Sequence, residues 1–195
     1  MVTEHTSLNA FGQFIPRKKL LENYSPYQIS LFVRDGYITK INNTYYQNNT
    51  YDGEESDFTY AKAYVPNGVI SFMSAAVYYD LSNNRPMAVD VTVQANSYVP
   101  SFPDWPPVKL HYMEKKYFNF AVTTYSANGS EFSIFEIEKV VADIVKYRES
   151  IGIEETKEVL TNYLKRSDRD LNKLIRYSKA DGCEKQMRTY LEVLA

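Results

Sequence analysis

Residues able to do chemistry are few and widely spaced in this 195-residue chain. His5 and His111 stand 106 positions apart, which is no metal-ligand spacing. Cys183 is the single cysteine; with no second thiol and no obvious activating histidine it reads as a core thiol. No glycine-rich phosphate loop is present. One constellation has a catalytic outline: Pro103-Asp104 followed by Glu114-Lys115-Lys116. In metal-dependent nucleases two carboxylates hold a divalent cation and a lysine positions or activates water, so Asp104, Glu114 and Lys116 would be the residues of that alternative. Asp104 falls in a proline-rich loop rather than at a strand end, and the pattern without its context has little weight. The expectation is a protein that is not an enzyme, with no catalytic set, no metal and no cofactor.

The chemistry better represented is phosphate and base recognition. Arg17-Lys18-Lys19 is a basic triplet just before a helix signal, where cations can grip a phosphate backbone. In that next helix Tyr27, Ser30 and Arg34 fall on one face, and with Gln28 they are the candidate readers of base edges or backbone. Lys40, Asn42 and Asn43 belong to a following hairpin that would act as a wing. The plainer reading makes the triplet a solvated face, Tyr27 a surface aromatic and Asn42-Asn43 only a turn. A polar helix face with a basic flank favours contact with nucleic acid. A possible second basic surface comprises Lys165, Arg166, Arg169, Lys173, Arg176, Lys179, Lys185 and Arg188, which could equally be ordinary amphipathic helix faces.

Net charge is only −2, which argues against indiscriminate nucleic-acid binding, but its distribution is polar. Residues 1 to 50 carry five Lys and Arg against three Asp and Glu, residues 51 to 110 three against seven, and residues 160 to 190 eight against four. Two basic regions flank an acidic one. The composition, 44% hydrophobic and 24% charged, is that of a folded globular protein. No apolar run approaches the roughly 20 residues of a membrane span, and Met1 to Ala10 has no signal pattern, so a cytoplasmic protein without membrane partners is expected.

The elements that must position these residues follow from local signals. Pro16 suits the first turn of a short helix over Arg17 to Asn23. Ser25 is a good N-cap, Pro26 a good first residue, and Asp35-Gly36 a stop, giving a second helix with Ile29, Phe32 and Val33 inward; Leu31 falls on the polar side. Residues 37 to 41 alternate, Asn42-Asn43 turns, and Thr44-Tyr45-Tyr46 returns. Helix, helix, hairpin is the order of a winged helix-turn-helix, assigned to residues 1–50. Residues 51–57 read as a linker, and residues 58–195 as a mixed α/β domain ending in a helical bundle, so the fold class is α+β. Within it, an apolar helix is expected from Asn67-Gly68 to Tyr79. Strands are expected at Pro86 to Gln94, Val108 to Met113, Phe118 to Tyr125 and Glu131 to Ile134, the last two joined at Asn128-Gly129. From Phe135 the apolar period becomes helical, with Ser133 and Glu136 spaced as a capping box, Ser167 as a later cap and Gly182 as a later stop.

Three stretches carry a family likeness: Pro26 to Tyr46, with Asp35-Gly36-Tyr37-Ile38 and Thr44-Tyr45-Tyr46; Tyr64 to Ala76, reading Tyr-Val-Pro-Asn-Gly-Val-Ile-Ser-Phe-Met-Ser-Ala-Ala; and Phe135 to Arg148 with the terminal Met187 to Glu192. In order and spacing they resemble the AbiEi-type antitoxins, abortive-infection regulators paired with nucleotidyltransferase-like toxins. The resemblance implies a winged helix that binds double-stranded operator DNA and represses its own toxin operon. It also implies a carboxy-terminal domain needed for antitoxin action in phage defence, with the toxin as functional partner. The helix of Lys139 to Arg148 and the basic region from Lys165 to Arg188 are the candidates for that second activity. The chain departs from the family in leaving little room for a full first helix before Pro16.

Overall fold

Two prolines and a glycine, Pro16, Pro26 and Gly36, punctuate the first fifty residues, and regular structure forms between them. The computed structural model describes residue 8 and residues 10–54, 56–99, 102–127 and 130–194. The chain is α+β and divides into two compact units. One holds the described residues up to Gly68 with Tyr98–Val108 and Thr124–Ser133; the other holds Val69–Ser97, Lys109–Thr123 and the described residues from Ile134 onward. The expected linker at 51–57 is thus inside the first unit and does not bound it.

The first unit runs β1 (Phe14–Pro16), α1 (Arg17–Asn23), α2 (Pro26–Arg34), β2 (Ile38–Lys40), β3 (Tyr45–Asn48) and α3 (Asp57–Tyr64). The strands form an antiparallel sheet in the order β1-β3-β2. Strand β1 is an element the sequence did not announce: Phe14 and Ile15 are buried there and pair with β3, and Pro16 both closes it and sits at the N-cap of α1, which spans the expected Arg17 to Asn23. Helix α2 follows its local signals. Ser25 Oγ accepts from the Gln28 amide while Gln28 Oε1 accepts from the Ser25 amide, a complete capping box. Gly36, at φ +79°, ends it; the Tyr37 amide donates to the Phe32 carbonyl and the Gly36 amide to that of Val33, the left-handed stop that glycine favours. Ile29 and Phe32 join Leu8, Ile15, Leu20, Ile38 and Tyr46 in the core. Val33, expected inward, is exposed, whereas Leu31 is half-buried. Helix α3 lies where no element was expected. It is fixed by distant partners: Thr59 Oγ1 donates to Gln13 Oε1 at 3.0 Å, and the Ala63 carbonyl accepts from Asn42 Nδ2 at 2.6 Å.

The remaining elements are β4 (Val69–Ile70), α4 (Phe72–Tyr78), β5 (Val89–Gln94), β6 (Val108–Met113), α5 (Lys115–Phe118), β7 (Val122–Ala127) and β8 (Ser130–Phe135). Then come α6 (Ile137–Lys146), α7 (Arg148–Ile151), α8 (Ile153–Lys165), α9 (Leu171–Ala180) and α10 (Glu184–Leu194). The sheet order is β6-β5-β4-β8-β7, with β4 antiparallel to β5 and parallel to β8. The apolar run after Gly68 therefore starts as a strand. Val69 and Ile70 fill the middle of the sheet, and the helix begins only at Phe72. The expected strand at 118–125 begins later, at Val122, because Lys115–Phe118 make a helical turn and Ala121 takes φ +58°. The expected turn at Asn128-Gly129 lies outside the described residues.

Helix α6 packs against α4, α8, α9 and α10 and is buried from Glu138 to Val145. Its expected cap from Ser133 does not form, since Ser133 is in β8. Glu136 is bound elsewhere, its Oε2 lying 2.6 Å from Lys173 Nζ and accepting from the Tyr177 hydroxyl at 2.9 Å. Burial alone would raise that carboxyl, but Lys173 and Tyr177 hold it below the usual carboxylate range. Helix α9 is capped by Asp170, which accepts from the Lys173 amide, and not by Ser167. Gly182 ends it as expected, at φ +76°.

Inside this bundle Lys139 Nζ lies 2.6 Å from Asp143 Oδ1 and 2.8 Å from Asp181 Oδ1, with the Phe135 and Phe120 rings around it. Asp143 Oδ2 is buried and has no hydrogen-bond partner among the described residues. Burial raises the Asp143 carboxyl to about 7; Lys139 opposes the rise, Asp181 adds to it and Lys146 opposes it more weakly. Asp181 is raised by burial as well, against the pull of Lys139. Among the described residues no helix is long and apolar enough to cross a membrane.

Candidate nucleic-acid interface

The short pairing of β1 with β3 sets the geometry of the basic residues in the first unit. Pro16 faces Tyr45 across the sheet, and the next residue, Arg17, donates its amide to the Thr44 carbonyl at 2.7 Å. The start of α1 is thereby held beside the β2–β3 turn. On the other edge of β3, Lys40 faces Tyr46. Arg17, Lys18, Lys19 and Lys40 thus gather at one end of the sheet, exposed, and none of them has an acidic partner among the described residues. Lys19 Nζ sits 5.5 Å from the centre of the Phe11 ring. It also lines a cavity of about 330 Å³ with Tyr45, Lys62 and Glu131, where burial lowers the Lys62 ammonium and Glu131 partly restores it.

The helix assigned to base reading is less free. Gln28 holds the cap of its own helix through Ser25. Ser30 Oγ donates to the Tyr27 carbonyl at 2.6 Å. The Arg34 guanidinium is paired with Asp35 at 2.8 and 3.2 Å, which raises the arginine and lowers the aspartate, chiefly through the hydrogen bond. Tyr27 is the large reader left open, 71% exposed. Asn42 is consumed by the fold: its Oδ1 accepts from the Thr44 and Tyr45 amides and its Nδ2 donates to Ala63. Asn43 is exposed at the turn. The structure therefore brings together Arg17, Lys18, Lys19, Lys40 and Asn43. It commits Gln28, Ser30 and Arg34 to local bonds and Asn42 to the turn and to Ala63.

The possible second basic surface is also thinned. Arg166 is held by Asp168 and the Tyr79 carbonyl, Arg169 donates to the Arg166 carbonyl, and Arg188 pairs with Glu184. Lys173 is taken up by Glu136 and Glu138. Lys165, Arg176, Lys179 and Lys185 make no ion pair among the described residues. The helix of Lys139 to Arg148 cannot present a surface over most of its length, since Lys139 and its neighbours are inside the bundle.

For the nuclease alternative, Asp104 belongs to the first unit, whereas Glu114 and Lys116 belong to the second, where they pair with each other at 3.2 Å. Among the described residues no three His, Cys, Asp or Glu side chains are placed to hold a metal ion. His5 lies outside the described residues. His111 is hydrogen-bonded to Asp90 at 2.8 Å, a pair that the spacing of the two residues along the chain does not announce. Cys183 is buried as expected, its thiol donating toward the Ala142 carbonyl at 3.5 Å. A scan of protein-family models gives no match to this chain, and a search of curated proteins gives none either.

Proposed function

We propose that this chain is a DNA-binding regulator whose first unit is a winged helix, and that it serves as antitoxin and autorepressor of a two-gene abortive-infection module. The observation that carries the reading is the cluster of Arg17, Lys18, Lys19 and Lys40, without acidic partners among the described residues, at the end of the β1-β3-β2 sheet where α1 meets the hairpin turn. Such cations contact phosphates, while the exposed face of α2 around Tyr27 lies open to a groove. The order strand, helix, helix, hairpin supports a winged helix, in which the turn acts as the wing. The resemblance to AbiEi-type antitoxins supplies the biological setting: operator DNA and a nucleotidyltransferase-like toxin. Because α6 is buried, any surface opposing the toxin is sought on the exposed cations Lys165, Arg176, Lys179 and Lys185.

The test is fluorescence anisotropy of the full chain with a labelled duplex from upstream of its own gene against a shuffled duplex. Preference for the upstream duplex by about a thousandfold at physiological salt is expected of a specific regulator. Equal affinities would overturn the repressor reading. Growth of cells expressing the neighbouring toxin, with and without this chain from an unrelated promoter, tests the antitoxin reading separately.

A further inference from the structure

The second unit contains a cavity of about 570 Å³, within the ~300–1,000 Å³ range of small-molecule sites. Its floor is built around Phe72, which takes φ +46°, a strained conformation for an aromatic residue and one that concentrates at ligand sites. The Phe72 ring packs on the His111 ring at 4.3 Å and against the Tyr147 ring at 5.5 Å. Three of the chain's five methionines, Met73, Met87 and Met113, also line it, and Met87 is 95% exposed. Flexible thioethers beside aromatic rings make an adaptable apolar wall.

Its polar groups define what such a ligand must carry. The buried carboxylate of Asp90 is fully engaged: Oδ1 accepts from His111 Nε2 at 2.8 Å, and Oδ2 faces the Ser74 amide at 3.3 Å and hydroxyl at 3.5 Å. With Nε2 turned to that carboxylate, the other ring nitrogen, Nδ1, makes no hydrogen bond among the described residues, and in the Nε2–H tautomer it is an acceptor. Lys109, exposed on the wall, forms no ion pair among the described residues. The acid in the site is internally matched, so the unmatched charge is positive.

We propose that this cavity binds a small aromatic acid carrying a ring N–H or O–H: the ring lies against Phe72 and the methionines, the N–H or O–H donates to His111 Nδ1, and the carboxylate meets Lys109.

The test uses the full chain with ¹³C-methyl methionine and three probes: indole-3-acetate, indole, and 1-methylindole-3-acetate. Indole-3-acetate is expected to shift the Met73, Met87 and Met113 methyl signals saturably and to leave that of Met187, which lies away from the cavity, in place. Indole, lacking the carboxylate, is expected to bind roughly fivefold more weakly, the size of an exposed ion pair. The 1-methyl probe, lacking the donor, is expected to bind roughly tenfold more weakly. Lys109→Ala should weaken indole-3-acetate and leave indole unchanged. His111→Phe, checked for folding by its melting curve, should erase the difference between indole-3-acetate and its 1-methyl form. No saturable shift by indole-3-acetate up to its solubility limit would overturn the site. Equal binding of indole and indole-3-acetate, unaltered by Lys109→Ala, would overturn the assignment of an acid.

Discussion

Lys139 and Asp181 meet inside the second unit with neither side chain exposed: Lys139 Nζ lies 2.8 and 2.9 Å from the two carboxylate oxygens. Removing one member of such a pair strands the other in a low-dielectric interior. Lys139→Ala should therefore destabilise the second unit by about 3–5 kcal/mol, because Asp143 and Asp181 are both left uncompensated. Urea unfolding of the full chain measures this, and a loss under about 1 kcal/mol would contradict a buried, charged Lys139.

The same cluster predicts a pH dependence. One ammonium faces two carboxylates, and burial holds the Asp143 carboxyl up at about 7, well above its value in the unfolded chain. Between the unfolded value and about 7 the folded state binds more protons, so the Asp143 contribution to stability is fully present at low pH and falls as pH rises through that window. Asp143→Asn removes this dependence and leaves Lys139 with Asp181. The variant should gain on the parent by at most about 1.4 kcal/mol per pH unit up to pH ~7 and no further above it. A gap that stays constant from pH 4 to 8 would count against a proton held on Asp143.

In the first unit, stability and DNA contact should separate along α2. Ser25→Ala removes the cap and should cost about 1 kcal/mol. Tyr27→Ala touches a side chain that is 71% exposed and should leave the melting temperature unchanged while weakening DNA binding. Melting curves and anisotropy on the two variants decide; equal losses of stability would show that Tyr27 is structural.

Phosphate contact has its own signature. Replacing Lys18 and Lys19 together by alanine should reduce the slope of log affinity against log salt by about two counterions' worth, while Lys40→Ala should reduce it by about one. A salt titration of the parent and variants reads this directly, and an unaltered slope would remove α1 from the interface.

Cys183 should be chemically silent in the folded chain. Burial, reinforced by Asp181 and Asp143, pushes its thiol up to about 11, so very little thiolate forms near pH 8. Mass spectrometry after iodoacetamide treatment should find Cys183 unmodified without denaturant and fully alkylated in urea.

What could be read from the sequence was what local chemistry fixes. Helix α2 was legible because Ser25, Pro26 and Gly36 each act within a few residues, and Gly182 marked the end of α9 in the same way. Helix α3 was hidden: Asp57 to Tyr64 has no apolar stripe and is held by Gln13 and Asn42, remote in the chain. Strand β4 was hidden because Val69 and Ile70 merge with the apolar helix that follows, and only pairing with β5 and β8 makes them a strand. The exposed cations were visible as a triplet. The engagement of Gln28 could have been read from its position three residues after Ser25, and that of Arg34 from the adjacent Asp35. The buried cluster of Lys139 and Asp143 was hidden, since the residue that completes it, Asp181, is 42 positions from Lys139.

The parallel pairing of Ile70 with Ile134 also orders events in time. The sheet of the first unit is made from residues 14 to 48, near neighbours whose loops close cheaply. Strand β4 must instead wait for a partner that the ribosome adds more than sixty residues later, and pairings of such long range form slowly. During synthesis the first sheet can assemble while Val69 and Ile70 still lack one of their two neighbours. A nascent chain halted before Ile134 would expose that apolar pair and the start of α4 to chaperones and proteases, whatever the state of the strands already made.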